Sequence, residues 1–476
     1  MAQHKWIPAL LLTVAVACAT NPATGRSNFN TMSEANEVAL GKEADAQVRK
    51  EMGVYDDAAW QAYVSRIGLA LAKKSHRPAL PWTFAVVDAP AVNAFALPGG
   101  FIYVTRGILP FLRDEAELAN VLGHEIAHVT ARHGAQAYSK QQAAGLFVGL
   151  GRIFAPDRYQ GVLGAAEGGL GLLFLKHGRD AEREADQFGV GYAAGGGWDP
   201  RGMNGMLTTL ARLSEASGSR RGVPNFLSTH PAPEDRIEEL RATVAAAAGP
   251  GSRTTNAGEF NRRLDGLVFG DSREQGMVRG RAFVHPILRF SLQFPEGWEI
   301  ANGAQQVVAQ PQGEAQMGMI LQVVADASRP PAEVAQAVMA ESKMVAHSGG
   351  NTTINGLRAF VGTFSGEGQV VNAAFIASGG QTYLLAGIAT EAAFDSARRA
   401  FGDTIGSFRP LSLQEADAIQ PDRVDSYTVR SGDTWASIAK NISKDAISGP
   451  SLAVMNNSSP EARPAAGARI RVVVRR

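Results

Sequence analysis

Residues 114–134 read DEAELANVLGHEIAHVTARHG, and the reading of the whole chain turns on this stretch. Asp114, followed three residues later by Glu117, is a capping-box signature for the start of a helix. Leu118, Val121, Leu122, Ile126 and Val129 then keep helical spacing to about Gly134. On that helix His124 and His128 lie one turn apart, so both imidazoles face one side and can reach a single Zn2+. Glu125 stands between them, placed to take a proton from water and hand it to a leaving amine, which is metal-assisted peptide hydrolysis.

A catalytic zinc usually takes three protein ligands and keeps one position open, so a third group must come from elsewhere. His133 is one candidate, although it reads more simply as a helix-end histidine near the negative end of the dipole. Glu182 and Asp186 are the better pair, four apart on the next well-defined helix, Arg179–Ala194. One of them can bind zinc while the other accepts the remaining N–H of an imidazole, a role Asp186 could play for His124. Their neighbours Arg183 and Glu184 read as solvated surface.

Outward from this core, 476 residues suggest roughly three domains. Hydrophobic residues at 45% and charged residues at 19% fit a globular chain, and 46 basic against 45 acidic residues propose no nucleic-acid partner. Residues 1–17, with Lys5 ahead of the apolar run Ile7–Ala17, suit a secretory signal peptide. Cys18 directly follows Ala15-Val16-Ala17, where a bacterial lipoprotein is cleaved and acylated, although the same small residues also suit an ordinary signal peptidase. Lipidation at Cys18 would make residues 18–32 a tether to a membrane, and Ala19 after the cysteine suggests outer-membrane sorting.

Residues 33–248 form the domain that carries the motif. Helices are expected at Ser33–Met52, Ala58–Ser75, Pro200–Ala216 and Pro233–Ala248, with strands at Trp82–Val87 and Phe101–Thr105. Residues 134–178 are rich in Gly and Ala and read as a mobile insertion. After Gly249-Pro250-Gly251-Ser252 an α+β domain of unassigned role spans 259–410. It has strands at Leu288–Phe294, Met317–Val324, Ala359–Phe364, Val370–Ala377 and Thr382–Ala389 and helices at Pro331–Ser348 and Glu391–Ser407. Residues 425–476 make a last small unit.

The run Asn93-Ala94-Phe95-Ala96-Leu97-Pro98-Gly99-Gly100, then Tyr103-Val104-Thr105-Arg106-Gly107, then His-Glu-x-x-His, then Glu182-x-x-x-Asp186 resembles the HtpX, CAAX-prenyl-protease and BepA type of zinc metallopeptidase, over about residues 33–243. The resemblance implies an α+β multidomain protein with a mainly helical gluzincin domain and one Zn2+ per chain on His124, His128 and Glu182. It implies Glu125 as catalytic base and Phe101, Ile102, Tyr103, Val104 and Thr105 as an edge strand that receives an extended substrate. Ser228-Thr229-His230-Pro231 and Arg236 match a further family element near the metal. His230 there is either a latch on the fourth zinc position or a donor to the oxyanion. Tyr427–Ala439 and the final strand Ala468–Val474 resemble a βααβ LysM module, with peptidoglycan binding and a purely structural role both open. The implied function is an envelope-anchored zinc metalloendopeptidase, on the periplasmic face of the outer membrane, that degrades misfolded or misassembled envelope proteins. The alternative is a non-catalytic chaperone or assembly factor tethered to outer membrane and peptidoglycan.

Overall fold

The computed structural model describes residues 18–143, 177–217, 226, 230, 233–250, 253–303, 305–313 and 316–475. The expected signal peptide, most of the Gly- and Ala-rich stretch and the neighbours of His230 therefore lie outside the described residues. The chain divides into two compact units. The first takes in the described residues up to Gly270 together with Asp422–Arg475, and the second spans Asp271–Pro421. No helix among the described residues is long and apolar enough to cross a membrane.

The first unit opens with a small hairpin, β1 (Cys18–Thr20) against β2 (Ser27–Phe29). Helices α1 (Glu34–Met52) and α2 (Ala58–Ala72) follow, capped by Ser33 and Asp57, whose side chains accept the first free N–H groups. Next come β3 (Thr83–Val87), β4 (Ala94–Leu97) and β5 (Phe101–Thr105). They form a three-stranded sheet in the order β3-β5-β4, with β5 parallel to β3 and antiparallel to β4. Phe101–Thr105 is thus the central strand and not the expected edge. Every residue of it is buried, as an unbroken apolar run on a strand with two neighbours should be. The edges are β3, whose outer side is bridged by Val54 at Val87, and β4, folded back across Pro98-Gly99-Gly100. Gly99 and Gly100 have φ of 83° and 104°, conformations that a side chain would oppose.

Helix α3 (Glu115–Thr130) is buried along its whole length. It stops short of the expected Gly134 because Arg132 turns left-handed at φ 59°. That turn is held by Arg132 Nε to Glu37 Oε2 at 2.9 Å, and Glu37 is also gripped by Arg77. A new helix, α4 (His133–Ala143), starts there. Helices α5 (Arg179–Gly195), α6 (Gly202–Ser217), α7 (Pro233–Ala248) and α8 (Ala257–Leu264) complete the helical part. The core gathers Val121, Leu122 and Ile126 of α3 with Ile67 and Leu71 of α2, Ala185 and Val190 of α5, and Met206 and Leu210 of α6.

The short β6 (Val268–Phe269) ends this segment. In the second unit, strands β7 (Met277–Arg279), β8 (Ala282–His285), β9 (Phe290–Gln293) and β17 (Arg409–Pro410) make a four-stranded sheet in the order β17-β9-β8-β7. Strands β10 (Glu299–Asn302), β11 (Gln306–Gln310), β12 (Met317–Asp326), β13 (Val345–Ile354), β14 (Leu357–Gly366), β15 (Gln369–Ser378) and β16 (Gln381–Thr390) make a seven-stranded antiparallel sheet in the order β10-β11-β12-β16-β15-β14-β13. Helix α9 (Pro331–Glu341) packs on one face through Val334 and Met339, against Phe375 and Leu384. Helix α10 (Glu391–Gly406) packs on the other through Phe394 and Phe401, against Ile376 and Leu385. The expected helix to Ser348 ends at Glu341, and Val345–Ile354 is the edge strand β13 instead.

Residues 425–476 read from the sequence as a last small unit, and as far as Arg475 they lie, together with Asp422–Val424, in the first compact unit. After the short helix α11 (Leu413–Ala418), β18 (Asp422–Thr428), α12 (Trp435–Asn441), α13 (Gly449–Met455) and β19 (Arg469–Val474) follow. Strand β18 pairs with β19 on one side and with β6 on the other. Arg471 ties this piece down by donating to the carbonyls of Pro110, Leu112 and Arg113.

Helices α3 and α5 meet at Gly123 and Gly189. A Cβ at Gly189 would stand 2.8 Å from His124 N, and one at Gly123 would stand 2.8 Å from Gly189 O. Gly189→Ala should therefore push two packed backbones apart and cost about 1–3 kcal/mol. Gly191→Ala, with nothing within 4 Å of the added carbon, should instead stabilise by roughly 0.5–1 kcal/mol. Denaturant unfolding of the metal-free protein separates the two outcomes.

Candidate metal centre

The α3–α5 contact puts Glu182, one turn into α5, opposite the two histidines of α3. His124 Nε2 and His128 Nε2 are 3.0 Å apart. Glu182 Oε2 lies 3.5 Å from the first, and its Oε1 lies 3.4 Å from the second. His230 brings Nδ1 to 3.0 Å from Glu182 Oε1 and 3.3 Å from His124 Nε2. One donor atom from each of these four buried residues lies within 4.8 Å of the others, a grouping that could hold a metal ion. Two imidazoles and a carboxylate suit a divalent cation, and burial excludes the water that would otherwise satisfy them.

Behind this cluster a ring of charge holds the donors. Asp186 Oδ1 lies 2.9 Å from His124 Nδ1, an approach out of line for a hydrogen bond and so chiefly a charge contact. Arg236, from α7, clamps Asp186 with two bonds of 2.7 Å and sets Nη1 2.9 Å from Glu182 Oε2. Burial by itself would push the His124 imidazole down, but Asp186 and Glu182 win and hold it up at about 10. His128 goes the other way, well below the ordinary histidine range, because burial and the facing His177 both disfavour its charge. Burial would raise Glu182, yet His230, His124 and His128 hold its carboxyl well below the usual range. A divalent cation would take over the charge that His124 carries as a proton, so binding should release protons.

Glu125 is buried, and burial raises its pKa against the opposing pull of His230 and His124. Its Oε1 has no hydrogen-bond partner among the described residues and lies 3.7 Å from His230 Nε2. A buried, unpartnered carboxylate oxygen beside the donor cluster is what a general base for water requires. The His230 ring stacks on Phe226 at 4.3 Å, and Phe226 N–H bonds to Val92 O just ahead of β4.

Of the residues singled out from the sequence, His124, His128, Glu182, Glu125, Asp186 and His230 come together, with Arg236 among them. Phe101–Thr105 does not provide the edge. Strand β4 does, and it packs along α3. Thr105 N–H donates to Asn93 O, so alternation turns Phe95 and Leu97 towards β5 and the N–H and C=O of Ala96 to the outer side. Sequence reasoning passed over His177, whose ring stacks on His128 at 4.1 Å, since no spacing rule links it to the motif. Glu184, which reads from the sequence as solvated surface, is only 27% exposed and faces His133.

Arg236 is an arginine shared by two buried carboxylates, Asp186 and Glu182. Arg236→Met should cost about 3–5 kcal/mol, because Asp186 and part of Glu182 lose their partner without reaching water. Equilibrium unfolding of the metal-free variant measures this, and a parental midpoint would mean that other groups balance the pair.

The comparisons with known proteins point the same way. Residues 58–244 match Peptidase family M48. The chain is 31% identical over 229 residues to the beta-barrel assembly-enhancing protease of Escherichia coli (strain K12), covering 47% of this chain and 46% of that one. A putative beta-barrel assembly-enhancing protease of Vibrio cholerae is 30% identical over 230 residues, 46% of each chain. The mitochondrial metalloendopeptidase OMA1 of Schizosaccharomyces pombe is 33% identical over 229 residues, 48% of this chain and 66% of that one. This chain thus spans about half the length of the first two relatives. Motif, fold and match coincide on one segment, and residues 58–244 are a domain of Peptidase family M48.

Proposed function

We propose that the protein is a zinc metalloendopeptidase of the bacterial cell envelope, acting on misfolded or misassembled envelope proteins. The observation that carries this is the convergence of His124 Nε2, His128 Nε2 and the Glu182 carboxylate beside an unpartnered, buried Glu125. Zinc on those three side chains would supply Lewis-acid polarisation of the scissile carbonyl and acidify the attacking water. Glu125 takes the proton of that water on Oε1 and delivers it to the leaving amide nitrogen. Asp186 and Arg236 hold His124 and Glu182 in place through the cycle.

The outer side of β4 is the natural seat for the substrate backbone, because Ala96 presents its N–H and C=O there next to α3. Pairing through main-chain groups asks little of the substrate's side chains, which suits unfolded clients. The names of the E. coli and V. cholerae relatives support proteins of the envelope as substrates. A lipid on Cys18 would keep the enzyme at the membrane. The order β18-α12-α13-β19 supports the LysM-like reading of residues 425–476, and with it binding of N-acetylglucosamine-containing glycan.

His230 sets its Nδ1 against Glu182 and His124, among the donor atoms themselves. That position favours a latch, in which a neutral imidazole fills the coordination place that water needs, over a donor to the oxyanion.

Two variants test the reading. Glu125→Gln should keep zinc bound while cleavage of casein falls at least about a hundredfold, because the base is not a ligand; parental turnover in that variant would overturn the mechanism. His230→Ala should raise basal cleavage with zinc retained. A loss of roughly a hundredfold would make His230 an oxyanion donor instead.

A further inference from the structure

The side chain behind His128 differs from the one behind His124. His128 Nδ1 lies 2.9 Å from His133 Nδ1, with the two rings edge to face at 5.0 Å. His133 is 7% exposed and opens α4 directly after the left-handed Arg132. Its other nitrogen, Nε2, faces Glu184 Oε1 at 3.8 Å. The same Glu184 oxygen accepts from Asn21 Nδ2 at 3.2 Å. Asn21, 2% exposed, is fixed in the turn of the β1–β2 hairpin by accepting from Ala23 N and Thr24 N on Oδ1.

We propose that His133 is a positioning residue that sets the tautomer of His128 for metal binding, through a chain running His128–His133–Glu184–Asn21. The inference rests on the metal centre proposed above. A histidine that gives the Nε2 lone pair to a cation must carry its proton on Nδ1, and that proton needs an acceptor. His133 Nδ1 is the atom in place. It accepts only when the His133 proton sits on Nε2, the nitrogen turned to Glu184, so the carboxylate selects the tautomer that His128 needs. With the opposite tautomer His133 would donate to His128, move the proton of that ring to Nε2 and block the ligand atom.

Helix α5 thereby serves both histidines with alternate acidic residues. Glu182 is itself a donor, Asp186 stands behind His124, and Glu184 stands behind His133 and so acts on His128. The last link is Asn21, three residues after Cys18, so the hairpin nearest the expected membrane anchor takes part in ordering the metal site.

The test is the zinc dissociation constant of the full chain, measured by competition with a chromogenic chelator. His133→Ala should weaken zinc binding roughly ten- to hundredfold. His133→Gln should recover most of the loss, since its carbonyl oxygen can accept from His128 Nδ1. Glu184→Ala, on a partly exposed side chain that leaves the core intact, should weaken binding severalfold, and Glu184→Gln should restore it. Parental affinity in both alanine variants, or no rescue by either glutamine, would overturn the proposal. If His133→Ala fails to fold, the Glu184 pair decides alone. His128→Ala is the reference: should it leave zinc affinity unchanged, the metal centre itself is wrong, whereas a loss there with none at His133 and Glu184 removes only the chain.

Discussion

Helices α3 and α5 cross with backbone against backbone, and the arrangement of the site follows from that contact. Gly123 and Gly189 leave no room for a Cβ on either side. Only at that separation can the short reach of a glutamate carry Glu182 to both histidines, and that of an aspartate carry Asp186 to the back of His124. The apolar residues around the crossing, Val121, Leu122, Ala185 and Val190, are buried to 0% exposure and hold it shut. Burial of these side chains supplies the stability, while the glycines supply the distance.

Closing that crossing buries charge, which burial alone would forbid. Glu125, Glu182, Asp186, His124 and Arg236 all sit out of water; Glu182 and Asp186 make close contacts with Arg236 and the histidines, whereas Glu125 meets only the His230 ring among the described residues, at 3.7 Å and without a hydrogen bond on Oε1. The imbalance is local. Asp186 and Arg236 satisfy one another, Glu182 is shared, and Glu125 is left with an oxygen that bonds to nothing in the described protein. A cluster so arranged is poor at stabilising the fold and well suited to holding a divalent cation and moving a proton.

The periphery of the unit serves the same helix. Arg77 and Arg132 both grip Glu37 of α1, and Arg77 also donates to Val129 O near the end of α3. Arg106, wholly buried, binds Asp88 and the carbonyls of Val268 and Gly270. Arg471 fixes the C-terminal strands to the loop before α3. Arginine recurs at these joints because one guanidinium can satisfy several acceptors in fixed directions. The second unit, with helices on both faces of its large sheet, holds its own separate core.

Local pattern carried much of this. The cap at Asp114 (though the Glu117 carboxylate accepts from Arg113 N–H and leaves the capping box half made), the helical spacing to Val129, the one-turn separations of His124 from His128 and of Glu182 from Asp186, and the alternating strands of the second unit are all properties of neighbours in the chain. Helix and strand periodicity make such properties readable without knowing the fold. What packs beside what is a different matter. Phe101–Thr105 is strongly apolar, and that says it is buried but not that β4 folds back to take the outer place. The helix spacing that ran on past Thr130 gave no sign that Glu37, far off in sequence, would hold Arg132 in a left-handed turn and start a new helix. His133 and Glu184 looked like a helix end and a wet surface because their partners, His128 and Asn21, reach them only once the N-terminal hairpin and α4 are in place. Residue types and spacings thus determined the chemistry available to this protein. The tertiary structure alone decided which groups face each other, since contacts between distant segments depend on how helices and sheet close on one core and leave no periodic trace in the chain.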